Sequence, residues 1–152
     1  MAEALPADRP ITVLTASVPL AAAISGQPHL TVILLGGRVR PNTLAVVGAS
    51  VTAMLGRYVV DLAILGANGI SLTHGLTTPD PAVADVKTQA IRSSRRRVLV
   101  GVHSKFGISA FCRFGEPARP RDRDHRRRPA PGPGAPLPGP GAARHPRLTL
   151  NR

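Results

Sequence analysis

Three long cations, Arg40, Lys87 and Lys105, are the side chains of this sequence best suited to meet a phosphate or the hydroxyls of a sugar. Asn68 can both donate and accept beside them. Small polar and glycine residues recur in four clusters: Thr15-Ala16-Ser17, Gly36-Gly37-Arg38, Gly66-Ala67-Asn68-Gly69 and His103-Ser104-Lys105. Each closes an apolar run that reads as a strand. In open α/β sheets ligands bind outside the carboxyl ends of the strands, so the four clusters are candidate walls of one pocket. The residues expected to line it are Thr15, Ser17, Gly36, Gly37, Arg40, Gly66, Asn68, Gly69, Lys87, Ser104 and Lys105.

Catalysis has less to work with. Proton transfer between carbons needs a general base near the substrate. No pair of carboxylates falls in these clusters, and His74 and His103 lack acidic neighbours in sequence and read as turn residues. Cys112 is the single cysteine, which excludes a disulfide framework and a structural zinc site. It has no base nearby and reads as an incidental thiol. No enzyme activity, cofactor or metal is expected.

The elements that must position these residues follow from the apolar pattern. Strands are expected over 11–15, 30–35, 59–65 and 98–102, with a short one possible over 44–47. Pro19 is read as closing the first. Helices are expected over 20–25 and 49–58, and from Pro81 to about Ser94 behind an Asp80 N-cap, with Val83, Val86, Ala90 and Ile91 at 3–4 spacing. Arg95-Arg96-Arg97 is read as the end of that last helix, where cations complement the macrodipole. Strands alternating with helices across short connections predict an α/β fold with a mostly parallel sheet.

The chain carries 20 Lys and Arg against 8 Asp and Glu, a formal net charge of +12, but its composition changes after Phe114. Residues 115–152 hold nine Arg, nine Pro and five Gly, and their only apolar residues are Ala and Leu. Such a segment buries too little surface to offset the entropy of ordering it, and is expected to be disordered. It has no aromatic on which bases could stack, so any nucleic-acid binding through it would be electrostatic and nonspecific. The apolar runs are too short for a membrane helix and the N-terminus is unlike a signal peptide, so a cytoplasmic protein is expected.

The stretches ITVLTASVPLAAAI, VILLGGRVRPNTLAVVG, DLAILGANGISLTHGLTTPDP, VKTQAI and HSKFG, in that order, resemble the C-terminal effector-sensing domain of DeoR-type (GlpR-type) bacterial transcriptional regulators over about residues 11–114. The resemblance implies a partial ribose-5-phosphate isomerase/coenzyme A transferase-like domain that senses a phosphorylated sugar. It also implies a homo-oligomer, and DNA control through an N-terminal winged helix-turn-helix for which this sequence has no counterpart. Residues 1–10 are read as a leader. The family's Gly-Thr-Thr phosphate loop is also without a counterpart. The related isomerases carry acids where this chain has Leu65, Asn68 and Val83, which argues against isomerase activity. After Phe114 the family continues toward an Ile-Thr-Asp strand end. A shifted reading frame of a GC-rich gene over Pro117–Arg127 can spell Leu-x-Asp-Leu-Glu-Thr-Val-Ile-Thr-Asp, so a frameshift is the expected origin of the tail. The division expected is therefore leader 1–10, partial sensing domain 11–114 and disordered tail 115–152.

Overall fold

The structure is a computed structural model and describes residues 9–117 and 149–150. Strand β1 (Ile11–Thr15) pairs in parallel with β2 (Leu30–Leu34), Ile11 opposite Leu30 and Thr15 opposite Leu34. Between them runs α1 (Val18–Ile24), which begins two residues before the expected helix. The Ser17 side chain caps it by accepting from Leu20 N. Pro19 therefore lies within the first helical turn, where its missing N–H costs nothing, and does not close the strand.

A hairpin follows, β3 (Arg38–Val39) against β4 (Val46–Val47). The strand expected over 44–47 starts only at Val46, because Leu44 adopts a left-handed φ of 51° in the turn. Helix α2 (Ala49–Leu55) stops a turn short of the expected end, at Gly56. Strand β5 (Val60–Gly66) pairs in parallel with β8 (Ser94–Val100), and α3 (Pro81–Arg92) connects them. Thus α/β organisation with parallel pairs holds, although β1–β2 and β5–β8 are not hydrogen-bonded to each other.

Between β5 and α3 lie β6 (Gly69–Ser71) and β7 (Gly75–Thr78), which form an antiparallel sheet with β9 (Cys112–Gly115). None of the three was expected. Their Gly, Ser and Thr content resembles that of a loop, yet every residue of β7 is buried. The two threonines tolerate this because their hydroxyls are satisfied. Thr77 Oγ1 donates to Gly69 O at 3.2 Å and accepts from Ala110 N at 2.8 Å, and Thr78 Oγ1 donates to Asn68 Oδ1 at 3.0 Å.

Helix α3 divides two cores. Its Ala84 and Ile91 pack with Ile70, Leu76, Leu99 and Phe114, whereas its Val86 and Ala90 pack with Leu14, Leu35, Val46, Val51 and Leu55. Asp80 N-caps it as expected, accepting from Ala82 N at 2.8 Å and Val83 N at 3.3 Å. The helix ends at Ser93, and β8 begins at once. Arg95, Arg96 and Arg97 are therefore strand residues, which corrects their assignment to a helix end. Alternation along β5 buries Ala63 and Leu65 while leaving Leu62 and Ile64 47% and 39% exposed; on β8, Val100 is 56% exposed.

Of the segment expected to lack regular structure, residues 118–148 and 151–152 lie outside the described residues. Gly115 ends β9, and β10 (Thr149–Leu150) pairs antiparallel with Val98 and Arg97 of β8. Among the described residues no helix is long and apolar enough to cross a membrane, and no two α-helices are consecutive in the chain as a helix-turn-helix requires.

Candidate functional site

The β3–β4 hairpin leans over the carboxyl end of β1. Val46 N donates to Ala16 O at 2.6 Å, Val18 N donates to Leu44 O at 3.1 Å, and Ser17 bridges to Ala45. Thr15 is buried, and its Oγ1 accepts from Ser17 N at 3.0 Å, so both hydroxyls of this cluster already hold the backbone turn. Gly37 is packed tightly: a Cβ there would stand 2.7 Å from Val51 Cγ2. Gly36 faces open space, with nothing within 4 Å of the same position.

Arg40 leaves the hairpin and meets α3. One guanidinium nitrogen lies 3.1 Å from Asp80 Oδ2, while Asp80 Oδ1 caps the helix. Two residues before Asp80, Thr78 holds Asn68, whose N donates to Thr77 O at 3.0 Å. The segment before α3 thus makes two polar contacts, Asp80 with Arg40 and Thr78 with Asn68 beyond the β5 end. The Asn68 side-chain N–H groups make no hydrogen bond among the described residues.

Lys87 reaches the same strand end. Its Nζ donates to Gly66 O at 2.7 Å and sits 4.9 Å from the centre of the Phe114 ring. Burial lowers the ammonium pKa from its ordinary value of 10.5. Such a cation favours the approach of an anion, which would restore what desolvation removed. Gly69 is a packing residue, since a Cβ there would stand 2.6 Å from Ile108 O. Ser104 and Lys105 lie in a 3₁₀ turn (His103–Lys105) after β8. That turn is stitched to β6 by Gly107 N donating to Ile70 O at 2.9 Å and by the Ile70–Phe106 bridge. The Lys105 side chain has no hydrogen bond or ion pair among the described residues.

The contacts fall into separate groups: Thr15 with Ser17, Arg40 with Asp80, Asn68 with Thr78, and Lys87 with Gly66. Ser104 and Lys105 lie in the turn after β8, which Phe106 and Gly107 join to β6. Gly37 and Gly69 are held by packing. The sequence reading missed the carboxylate that fixes Arg40 and the ring beneath Lys87. Asp80 was legible as a helix cap, but nothing in the sequence couples it to Arg40, 40 positions earlier.

His74 lies in the turn between β6 and β7, with Nδ1 3.2 Å from Ser109 Oγ. The two border a hollow of ≈ 210 Å³ with Thr73, Thr77, Phe111 and Arg113. No carboxylate bonds His74 among the described residues, so the pair lacks the orienting acid of a hydrolytic triad. Among the described residues no three His, Cys, Asp or Glu side chains stand together as a metal site.

Comparison with known proteins identifies a family. The family described as DeoR C terminal sensor domain matches residues 1–120. The HTH-type transcriptional regulator IolR of Bacillus subtilis (strain 168) is 32% identical over 104 residues, which cover 68% of this chain and 41% of the relative. The HTH-type transcriptional repressor GlcR of the same organism is 33% identical over 105 residues, covering 69% and 40%. The HTH-type transcriptional regulator GlpR of Haloferax volcanii is 33% identical over 114 residues, covering 75% and 44%. The chain spans 40% to 44% of the length of these relatives. It belongs to the DeoR family of transcriptional regulators, whose C-terminal sensor domain it carries.

Proposed function

We propose that this domain binds a phosphorylated sugar across the carboxyl ends of β1, β2, β5 and β8, as the sensing part of a cytoplasmic transcriptional repressor. One observation supports the reading: Lys87 reaches from α3 to the carboxyl end of β5, where Asn68 follows, while Arg40 follows β3 and Lys105 lies in the turn after β8. Lys87 and Arg40 are already held in place, so a phosphate would meet preorganised cations. The open backbone at Gly36 leaves room for the sugar.

Binding without turnover is the natural outcome, because Leu65, Asn68 and Val83 offer no ionisable group at the β5 end or on the facing turn of α3. Specific DNA contact requires a recognition element in a groove. It is assigned to the helix-turn-helix of full-length relatives, so this domain alone is expected to show no operator preference. Titration calorimetry with a panel of triose, pentose and hexose phosphates and their parent sugars tests the reading. At least one phosphate ester should bind, its parent sugar should not, and Lys105→Gln should weaken binding by about tenfold or more, the worth of one charge-assisted hydrogen bond. Binding of parent sugars as tightly as their esters would refute it.

The buried ammonium makes a second expectation. Between its lowered folded-state pKa and 10.5, the unfolded chain binds more protons at Lys87 than the folded one, so stability should rise with pH through that window. Lys87→Met should flatten the rise, as read from urea midpoints measured across the alkaline range. A rise of equal slope in the variant would assign it to other groups.

We also propose that the protein is a homo-oligomer. The apolar face of β5–β8 carrying Leu62, Ile64 and Val100 supports this, since soluble monomers seldom expose a contiguous patch of this kind. Replacing Leu62 and Ile64 together by Lys should shift the sedimenting species to smaller mass; an unchanged distribution would place any interface elsewhere.

A further inference from the structure

Arg95, Arg96 and Arg97 lose their simplest explanation once they lie in a strand. A helix end would absorb their charge through the macrodipole, whereas a sheet has almost no net dipole. Their charge is also poorly neutralised. Arg95 Nη1 lies 3.7 Å from Asp61 Oδ1, but the two side chains are 72% and 93% exposed, and an ion pair so exposed is weak. Arg97 Nε is buried and has no hydrogen-bond partner among the described residues. That N–H is closed to solvent, so a phosphate in the groove would meet the terminal amino groups of the guanidinium.

These three arginines and Asp61 line an open groove of ≈ 600 Å³. Arg95 and Arg97, two residues apart in the strand, share one face at a spacing of about 6.6 Å, comparable to that of successive phosphates along a nucleic-acid strand. Thr149 and Leu150 pair with Val98 and Arg97 along the β8 edge. The groove begins about 17 Å, five strand residues, before the carboxyl end of β8, so it is separate from the strand-end site.

We propose that the β8 groove binds the phosphodiester backbone of nucleic acid without reading its sequence. Guanidinium forks match phosphate oxygens bidentately, and the groove is too large for one free anion to fill. A lipid surface is the poorer fit. The large exposed apolar side chains of this sheet, Leu62, Ile64 and Val100, share a face with Arg96, whereas Arg95 and Arg97 stand on the face opposite them.

The test is fluorescence anisotropy of the full chain with a labelled 20-base-pair duplex over a series of salt concentrations. Binding should weaken linearly on a log–log plot, with the same affinity for a scrambled duplex. Each phosphate contact contributes a slope of about 0.9, so Arg95→Gln should reduce the slope by about one and Arg95→Gln/Arg97→Gln by about two. Asp61→Asn, which removes the competing carboxylate, should tighten binding. Arg95→Gln and Asp61→Asn change exposed side chains, so they decide the matter even where loss of Arg97 disturbs folding. Unchanged slope and affinity in both would overturn the proposal by assigning all binding to other arginines. Displacement of the duplex by millimolar inorganic phosphate at constant ionic strength would overturn it in favour of a free-anion site. Binding to phosphatidylserine vesicles with the same dependence on Arg95 and Asp61, and none to the duplex, would overturn it in favour of a membrane.

Discussion

Leu76→Ala should lower stability by about 2–5 kcal/mol, the cost of removing a large side chain from a core that cannot collapse around the gap. Leu76 is 0% exposed at the centre of β7 and packs with Ile70, Ala84 and Phe114. The surrounding backbone is tight. A Cβ at Gly115 would stand 3.4 Å from Leu76 Cδ1, and one at Gly75 would stand 2.4 Å from Gly115 O. The strands on either side therefore have little freedom to close a cavity. Because a domain of this kind has a total stability of about 5–15 kcal/mol, the loss should appear as a large fall in the urea midpoint at unchanged m. A loss below about 1 kcal/mol would mean that the β6–β7–β9 sheet is not part of the cooperative core.

Asp80→Ala should cost about 1–2 kcal/mol and impair the site as well. The carboxylate accepts two backbone N–H groups at the start of α3, and removing such a cap typically costs about 1 kcal/mol. The same residue fixes Arg40 at 3.1 Å, with both side chains only 27% exposed, so the variant also leaves a half-buried guanidinium without its partner. Asp80→Asn keeps an acceptor for the cap and loses the ion pair. It should therefore retain most of the stability while still weakening a phosphorylated ligand that depends on Arg40. Equal denaturation midpoints for Asp80→Ala and wild type would contradict the role of this carboxylate in α3. A measured coupling near zero between Asp80→Asn and Arg40→Gln in ligand affinity would contradict its role in positioning Arg40.

Much of this arrangement was legible because local chemistry decided it. The runs Ile11–Thr15 and Leu30–Leu34 are rich in β-branched residues and lie side by side in a parallel pair. Asp80 followed by Pro81 marks a helix start on any backbone. The antiparallel sheet was not legible. Gly69–Thr78 has the composition of a loop, and it becomes sheet only because Cys112–Gly115, more than 30 residues away, pairs with β7 and places Phe114 against Leu76. The arginines at 95–97 were misread for a related reason. Ser93 alone separates helix from strand, so neither glycine nor proline announces the change. At the site, the residue types were visible and their partners were not. Lys87 can be named as a cation from sequence, but the Gly66 carbonyl and the Phe114 ring that hold it come from two other elements.

In the proposed function the strand carboxyl ends form the ligand site. Hydrogen exchange of the backbone amides, with and without the sugar phosphate that binds most tightly in the calorimetric panel, tests it most directly. Protection should rise at residues 15–17, 36–40, 66–69 and 103–107, with little change in the Thr73–His74 turn or at Arg95–Arg97. Protection confined to the hollow beside His74 and Ser109, or to the β8 arginines, with the strand ends unchanged, would contradict the account.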